Sequence, residues 1–141
     1  MFSEILLVVF GLSFTAWAGP SSLPAPVGKE KFTFQQVEQQ KNELKDKIVL
    51  IEITLVGEGG DIGNGMLRYF AKDTSGSAMS YGRVDFPREA LKKLGLLDNP
   101  KKGPLSVYIR VHFSGGNAAA IDEAVGTKFS TDAQGKATYE W

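Results

Sequence analysis

The sequence predicts one mainly β (α+β) domain: a five-stranded barrel with an N-terminal helix and a short helix between the third and fourth strands. Three observations lead there. Beyond residue 46, runs that alternate apolar and polar side chains recur, the period-two pattern of strands with one buried face. A single short helical run, bracketed by Pro87 and Gly95, interrupts them. The 43% hydrophobic content and nine Phe in 141 residues are enough for the core of one domain, and the length leaves room for only one.

The first element is expected to be removed. Ile5–Phe14 is almost wholly apolar and falls short of the ~20 residues that span a bilayer. Ala16-Trp17-Ala18 then offers small residues where a signal peptidase needs them, so cleavage is expected between Ala18 and Gly19. The n-region departs from the usual pattern, with Glu4 and no Lys or Arg. Residues 1–18 thus read as a signal peptide that leaves no permanent membrane anchor. Residues 19–31, rich in Pro, Ser and Gly as far as Gly28, read as a flexible linker, and residues 32–141 as the folded domain.

The domain opens on a helix. Thr33 is a good N-cap, Gln36 completes a capping box, and Phe32 and Val37 are spaced as a hydrophobic staple. The helix is expected to reach about Lys45, with a thin apolar face of Phe34, Val37 and Leu44. Lys47–Val56 is the first strand; Val49, Ile51, Ile53 and Leu55 share one face. Its other face is apolar only at Ile48 and Leu50, so something should cover that half. Gly57–Gly65 holds five glycines and reads as a loop. Met66–Lys72 and Ala78–Phe86 read as a hairpin across the turn Asp73–Ser77. Pro87 at N1 and Gly95 at C′ bracket a two-turn helix, Arg88–Leu94. Leu105–Phe113 alternates most cleanly of all, Ser114–Asp122 is a loop, and Ala124–Ser130 and Ala137–Trp141 are strands joined by Asp132–Lys136.

Helix, three strands, short helix and two strands is the element order of the five-stranded OB barrel; the alternative is another α+β domain with a curved antiparallel sheet. With the stretches TFQQVEQQKNELKDKIVLIEI, SAMSYGRVDFP and PLSVYIRVHF, the chain resembles small exported bacterial OB-fold proteins over most of residues 33–130. The resemblance rests on element order, and implies ligand binding on the face of the second and third strands and its flanking loops.

Composition narrows the chemistry. Without cysteine there is no disulfide, thiolate nucleophile, Cys-based zinc site or lipidated cysteine. An exported domain held by its core alone fits a bacterial periplasm, or secretion, better than a eukaryotic extracellular space. Lys+Arg and Asp+Glu are both 16; losing Glu4 leaves a mature net charge of +1. Non-specific nucleic acid binding, which needs a basic excess, is disfavoured.

No catalytic set, resident metal or cofactor is expected. The glycine run lacks the Gly-Lys-Ser/Thr of a phosphate loop, and its Glu58, Asp61 and Asn64 lack EF-hand spacing. His112 is the one histidine, on the polar face of a strand, and no G-x-S-x-G elbow accompanies it. Asp122 and Glu123 are adjacent carboxylates, and a calcium-dependent OB nuclease would have to draw on residues such as Glu52, Asp61, Arg68 and Arg83. The more informative cluster is on the hairpin. If Leu67, Tyr69, Ala71, Val84 and Phe86 face inward, then Arg68, Phe70, Tyr81 and Arg83 face out together, aromatic rings interleaved with guanidinium groups. Tyr108, Arg110 and His112 form a second such face. The resulting expectation is a non-catalytic exported binding module whose ligand is an oligosaccharide or peptide. A structural envelope-assembly protein with an extracytoplasmic protein partner is the alternative.

Overall fold

The computed structural model describes residues 23–74, 80–112 and 122–141. The proposed signal peptide, the Ala18–Gly19 cleavage point, and most of the turn after Asp73 and of the loop after His112 lie outside them. The elements are β1 (Pro26–Phe32), α1 (Phe34–Gln39), α2 (Lys41–Leu44), β2 (Ile48–Gly63), β3 (Met66–Asp73), β4 (Tyr81–Pro87), α3 (Arg88–Lys93), β5 (Leu105–Arg110), β6 (Asp122–Gly126), β7 (Lys128–Thr131) and β8 (Ala137–Glu140).

Five strands close on themselves. β2 pairs with β3, β3 with β4, β4 with β6, β6 with β5, and β5 returns to β2. All these pairings are antiparallel except β4–β6. With the short α3 between the third and fourth barrel strands, the fold is an OB-like β-barrel. Closure gives each barrel strand a partner on both sides over part of its length, and the inward residues fill the lumen. Val49, Ile51, Ile53, Leu55, Leu67, Tyr69, Ala71, Val84, Phe86, Val107, Ile109 and Ala124 are buried there with Leu91 of α3.

The helix start forms as its residues require. The Thr33 hydroxyl accepts the Gln36 N–H at 3.1 Å, and the Gln36 side chain accepts the Thr33 N–H at 2.8 Å. The next N–H groups find partners across the fold: Phe34 donates to buried Asp73 at 3.1 Å and Gln35 to the Ser80 hydroxyl at 3.2 Å. Helix N–H groups otherwise left over are thereby used to fix α1 to the β3–β4 end. Gly82 makes the approach possible, because a Cβ there would lie 2.5 Å from the Phe34 ring. The helix does not run unbroken to Lys45; Gln40 separates two short pieces.

Other expectations need correction. Residues 19–31 are not simply a linker, since Pro26–Phe32 pairs in parallel with β2 and Phe32 packs on the core. Gly57–Gly65 is not a loop: β2 continues to Gly63, with register shifts after Leu55, Glu58 and Asp61. Each bulge accommodates an extra residue, and positive φ at Gly60 and Gly63 is available to glycine without strain. The turn between β2 and β3 is Asn64-Gly65, both at positive φ, a two-residue hairpin loop between the paired Gly63 and Met66. Finally, Ala124–Ser130 is not one strand. Its first part closes the barrel as β6; its second, β7, pairs with β8 as a separate hairpin. The strand expected over Leu105–Phe113 ends at Arg110.

The hairpin and β1 supply the cover expected over the first half of β2. Ile48 is fully buried although it lies outside the core cluster. Beside it, Tyr108 of β5 meets Tyr139 and Phe129 with ring centroids 5.5 and 6.1 Å apart, and the Tyr139 hydroxyl donates to the Pro24 carbonyl at 2.6 Å. Gly126 admits the close approach of β8, for a Cβ there would lie 2.8 Å from the Glu140 carbonyl oxygen. Trp141 reaches the core, its ring 6.2 Å from that of Phe86.

Candidate functional site

On β3, Leu67, Tyr69 and Ala71 point into the barrel, so Arg68, Phe70 and Lys72 point out. On β4, Val84 and Phe86 point in, so Tyr81, Arg83 and Asp85 share the outer face. Register sets the neighbours: Arg68 is opposite Asp85, Phe70 opposite Arg83, and Lys72 opposite Tyr81. The four residues expected to form a platform are thus brought to one face. Phe70 and Tyr81 are 46% and 60% exposed, so neither is packed beneath α1.

Asp85 is the member that sequence reasoning missed. It forms a two-pronged ion pair with Arg68, Nε to Oδ1 at 2.8 Å and Nη2 to Oδ2 at 3.1 Å, with both side chains largely shielded. Its position was readable from the same alternation, since residues 81, 83 and 85 of one strand must share a face. The pair fixes Arg68 as a strut at the edge of the platform, and leaves Arg83 and Lys72 as the cations beside the rings. On the β2 side the floor is bare backbone: a Cβ at Gly57 would touch the Phe70 ring at 3.9 Å, and one at Gly59 would crowd Arg68 Cγ at 3.0 Å. The glycine run therefore borders the site as part of β2, rather than as the loop expected from the sequence.

The other candidate groups separate. Tyr108 lies under the C-terminal hairpin, Arg110 pairs with Asp46 at 3.2 Å and approaches Glu123 at 4.0 Å, and His112 Nδ1 is 3.8 Å from Asp46. That face is packing and ion pairing. Of the residues imagined for a nuclease, three are tied elsewhere, Glu52 to Lys31 at 3.2 Å, Asp61 to Arg88 at 3.3 Å and Arg68 to Asp85, and Arg83 stands on the β3–β4 face. Glu52 and Asp61 are nine residues apart on one strand, roughly 25–30 Å, too far to share a cation. Asp122 and Glu123 point to opposite sides, one buried and one exposed. Among the described residues no three His, Asp or Glu side chains converge as a metal site. Burial raises the Asp122 carboxyl to about 7, against the lowering effect of the His112 backbone N–H and with help from Glu38 and Asp85. A depression of about 240 Å³, lined by Leu94, Leu96, Lys102, Gly103, Pro104 and Leu105, lies away from the platform and is below the ~300 Å³ of ordinary ligand pockets.

The fold and this face define the molecule as an OB-like barrel with an open platform of aromatic rings and cations on β3 and β4. Comparison with known proteins finds no matching family model, no matching curated protein and no matching solved structure.

Proposed function

We propose that the chain is an exported, non-catalytic binding module that holds a saccharide or peptide on the β3–β4 face. The observation that carries this reading is the exposure of Phe70 and Tyr81 on the wall of a closed barrel, with Arg83 opposite one ring and Lys72 opposite the other. Rings left in water beside cations offer stacking and charge at one spot, worth on the order of 1–3 kcal/mol per ring when a planar ligand stacks. The first nineteen residues support export to a periplasm or the medium, which N-terminal sequencing of the secreted protein tests by a start at Gly19. The near-neutral charge supports a ligand other than a phosphate polymer.

The experiment is a glycan, peptide and oligonucleotide array read with the purified protein and with Tyr81→Ala. Binding that falls roughly tenfold or more in the variant, with an unchanged melting temperature, is the expected result. Equal binding by both proteins would remove Tyr81 from the site, and the platform with it.

A further inference from the structure

Resting on the platform reading above, we infer that the ligand is an acidic saccharide, a carboxylate-bearing glycan of the uronate or sialate type. Its rings lie on Phe70 and Tyr81, and its carboxylates meet Arg83 and Lys72.

Charge on the outer face is unevenly balanced. Arg68 is neutralised by Asp85, Arg110 by Asp46 and Glu123, and Lys31 by Glu52. Among the described residues, Arg83 and Lys72 take part in no ion pair or side-chain hydrogen bond, although every other arginine of the barrel wall does. The acids nearest them in register are Glu52, diagonal to Lys72 across β2, and Glu123, diagonal to Arg83 across β6, and these face Lys31 and Arg110 instead. The four charged side chains around the two rings, Arg68, Lys72, Arg83 and Asp85, therefore sum to two uncompensated positive charges. Phe70 and Tyr81 are on the diagonal of the β3–β4 register, where backbones are about 7–8 Å apart, each directly opposite one of the free cations. A planar guanidinium matches a carboxylate with two parallel hydrogen bonds, and an ammonium supplies a point charge.

The same geometry separates the saccharide from other anions. A peptide that adds to a sheet needs a free strand edge; β3 lies between β2 and β4, and β4 lies between β3 and β6, which pairs with it at Val84 and Asp85. A nucleic acid presents a phosphate at every nucleotide, whereas Asp85 and Glu123, adjacent across β4 and β6, bound the patch and confine it to two cations. At Gly57 and Gly59, β2 puts no side chain against Phe70 and Arg68.

The test prints oligogalacturonates and sialylated oligosaccharides beside their methyl esters, which keep the rings and lose the charge. Single-stranded oligonucleotides and an Asp/Glu-rich peptide serve as further probes. A carboxylated glycan is expected to bind at least tenfold more tightly than its ester. Arg83→Gln or Lys72→Gln should bring acid and ester together, whereas Tyr81→Ala should weaken both about tenfold. Melting curves verify folding, and two charge variants guard against one that fails to fold. Equal binding of acid and ester, still weakened by Tyr81→Ala, would overturn the acidic ligand and leave the platform standing. No glycan binding, or binding indifferent to Tyr81→Ala, would overturn both. An oligonucleotide or the acidic peptide binding more tightly than every carboxylated glycan would overturn the saccharide.

Discussion

On the β3–β4 face, Phe70 and Tyr81 stand in water with two cations that have no ion pair; on the β5 face, Tyr108 lies against Phe129 and Tyr139, and Arg110 and His112 turn to Asp46. Both faces arise from the same alternation of aromatic and cationic residues with inward aliphatic ones. They differ in what the rest of the chain does to them. β7 and β8 fold back over Tyr108, whereas the described residues lay nothing over Phe70 or Tyr81. Period two decides which side of a strand a residue takes; only long-range packing decides whether that side meets solvent.

The cover depends most heavily on Gly126, so the largest expected effect comes from removing it. A side chain there meets the backbone of Glu140, its Cβ 2.8 Å from the oxygen and 3.0 Å from the nitrogen, and neither atom can swing aside. Gly126→Val is expected to cost on the order of 3 kcal/mol, lower the melting temperature by roughly 10 °C or more, and expose Tyr108 to quenchers. A variant that melts like the wild type would mean that the hairpin adds little and that the two faces are less different than they look.

Next in size is a pH effect at β6, the strand between the two faces. The Asp122 carboxyl titrates near 7 in the fold, because burial disfavours its charge, and near 4 in the unfolded chain. Between about pH 4 and 7 the unfolded chain has released a proton that the folded chain keeps. Stability at this group is therefore greatest below pH 4, falls as pH rises through that window, and is level above it. The full separation corresponds to up to ~4 kcal/mol, and relaxation of the site should leave about half. Asp122→Asn should flatten this slope, gaining about 2 kcal/mol on the wild type at pH 8 relative to pH 4 in paired denaturant titrations. Parallel pH profiles for the two proteins would show that Asp122 is ionised at neutral pH.

Much of the barrel was legible because its determinants are local. Val49 to Leu55 and Leu105 to Ile109 alternate without a break, the Thr33–Gln36 box and the Pro87–Gly95 bracket mark helix ends, and these fixed the element order that the topology bears out. The second half of β2 was hidden because glycine carries no face. Its signal was the Asn64-Gly65 dipeptide, the strongest short hairpin turn, lost among five glycines. β1 was hidden because a parallel pairing with β2 leaves no turn signature. In the site, four outward residues were readable from alternation, but which cations stay free was not. That follows from a cross-strand register, Arg68 to Asp85, which a one-residue slip would have changed.

The smallest expected stability change is also the sharpest test of the comparison, because it sets two tyrosines against each other. Tyr139 touches Tyr108 and Phe129, with centroids 5.5 and 5.3 Å away, and its hydroxyl is held by Pro24. Burial pushes that hydroxyl's pKa up to about 12, as expected for a ring removed from water. Tyr139→Ala loses two ring contacts and a hydrogen bond, and should cost about 1–2 kcal/mol. Tyr81 is 60% exposed, so truncation removes little buried surface, and Tyr81→Ala should change stability by less than about 0.5 kcal/mol. Ligand binding should reverse the order, with Tyr81→Ala losing roughly tenfold and Tyr139→Ala binding like the wild type once folded. Denaturant titrations and array binding on the two variants make a two-by-two comparison. If Tyr81→Ala costs as much stability as Tyr139→Ala, the β3–β4 rings are packed in solution like those of the other face, and the difference between the faces disappears.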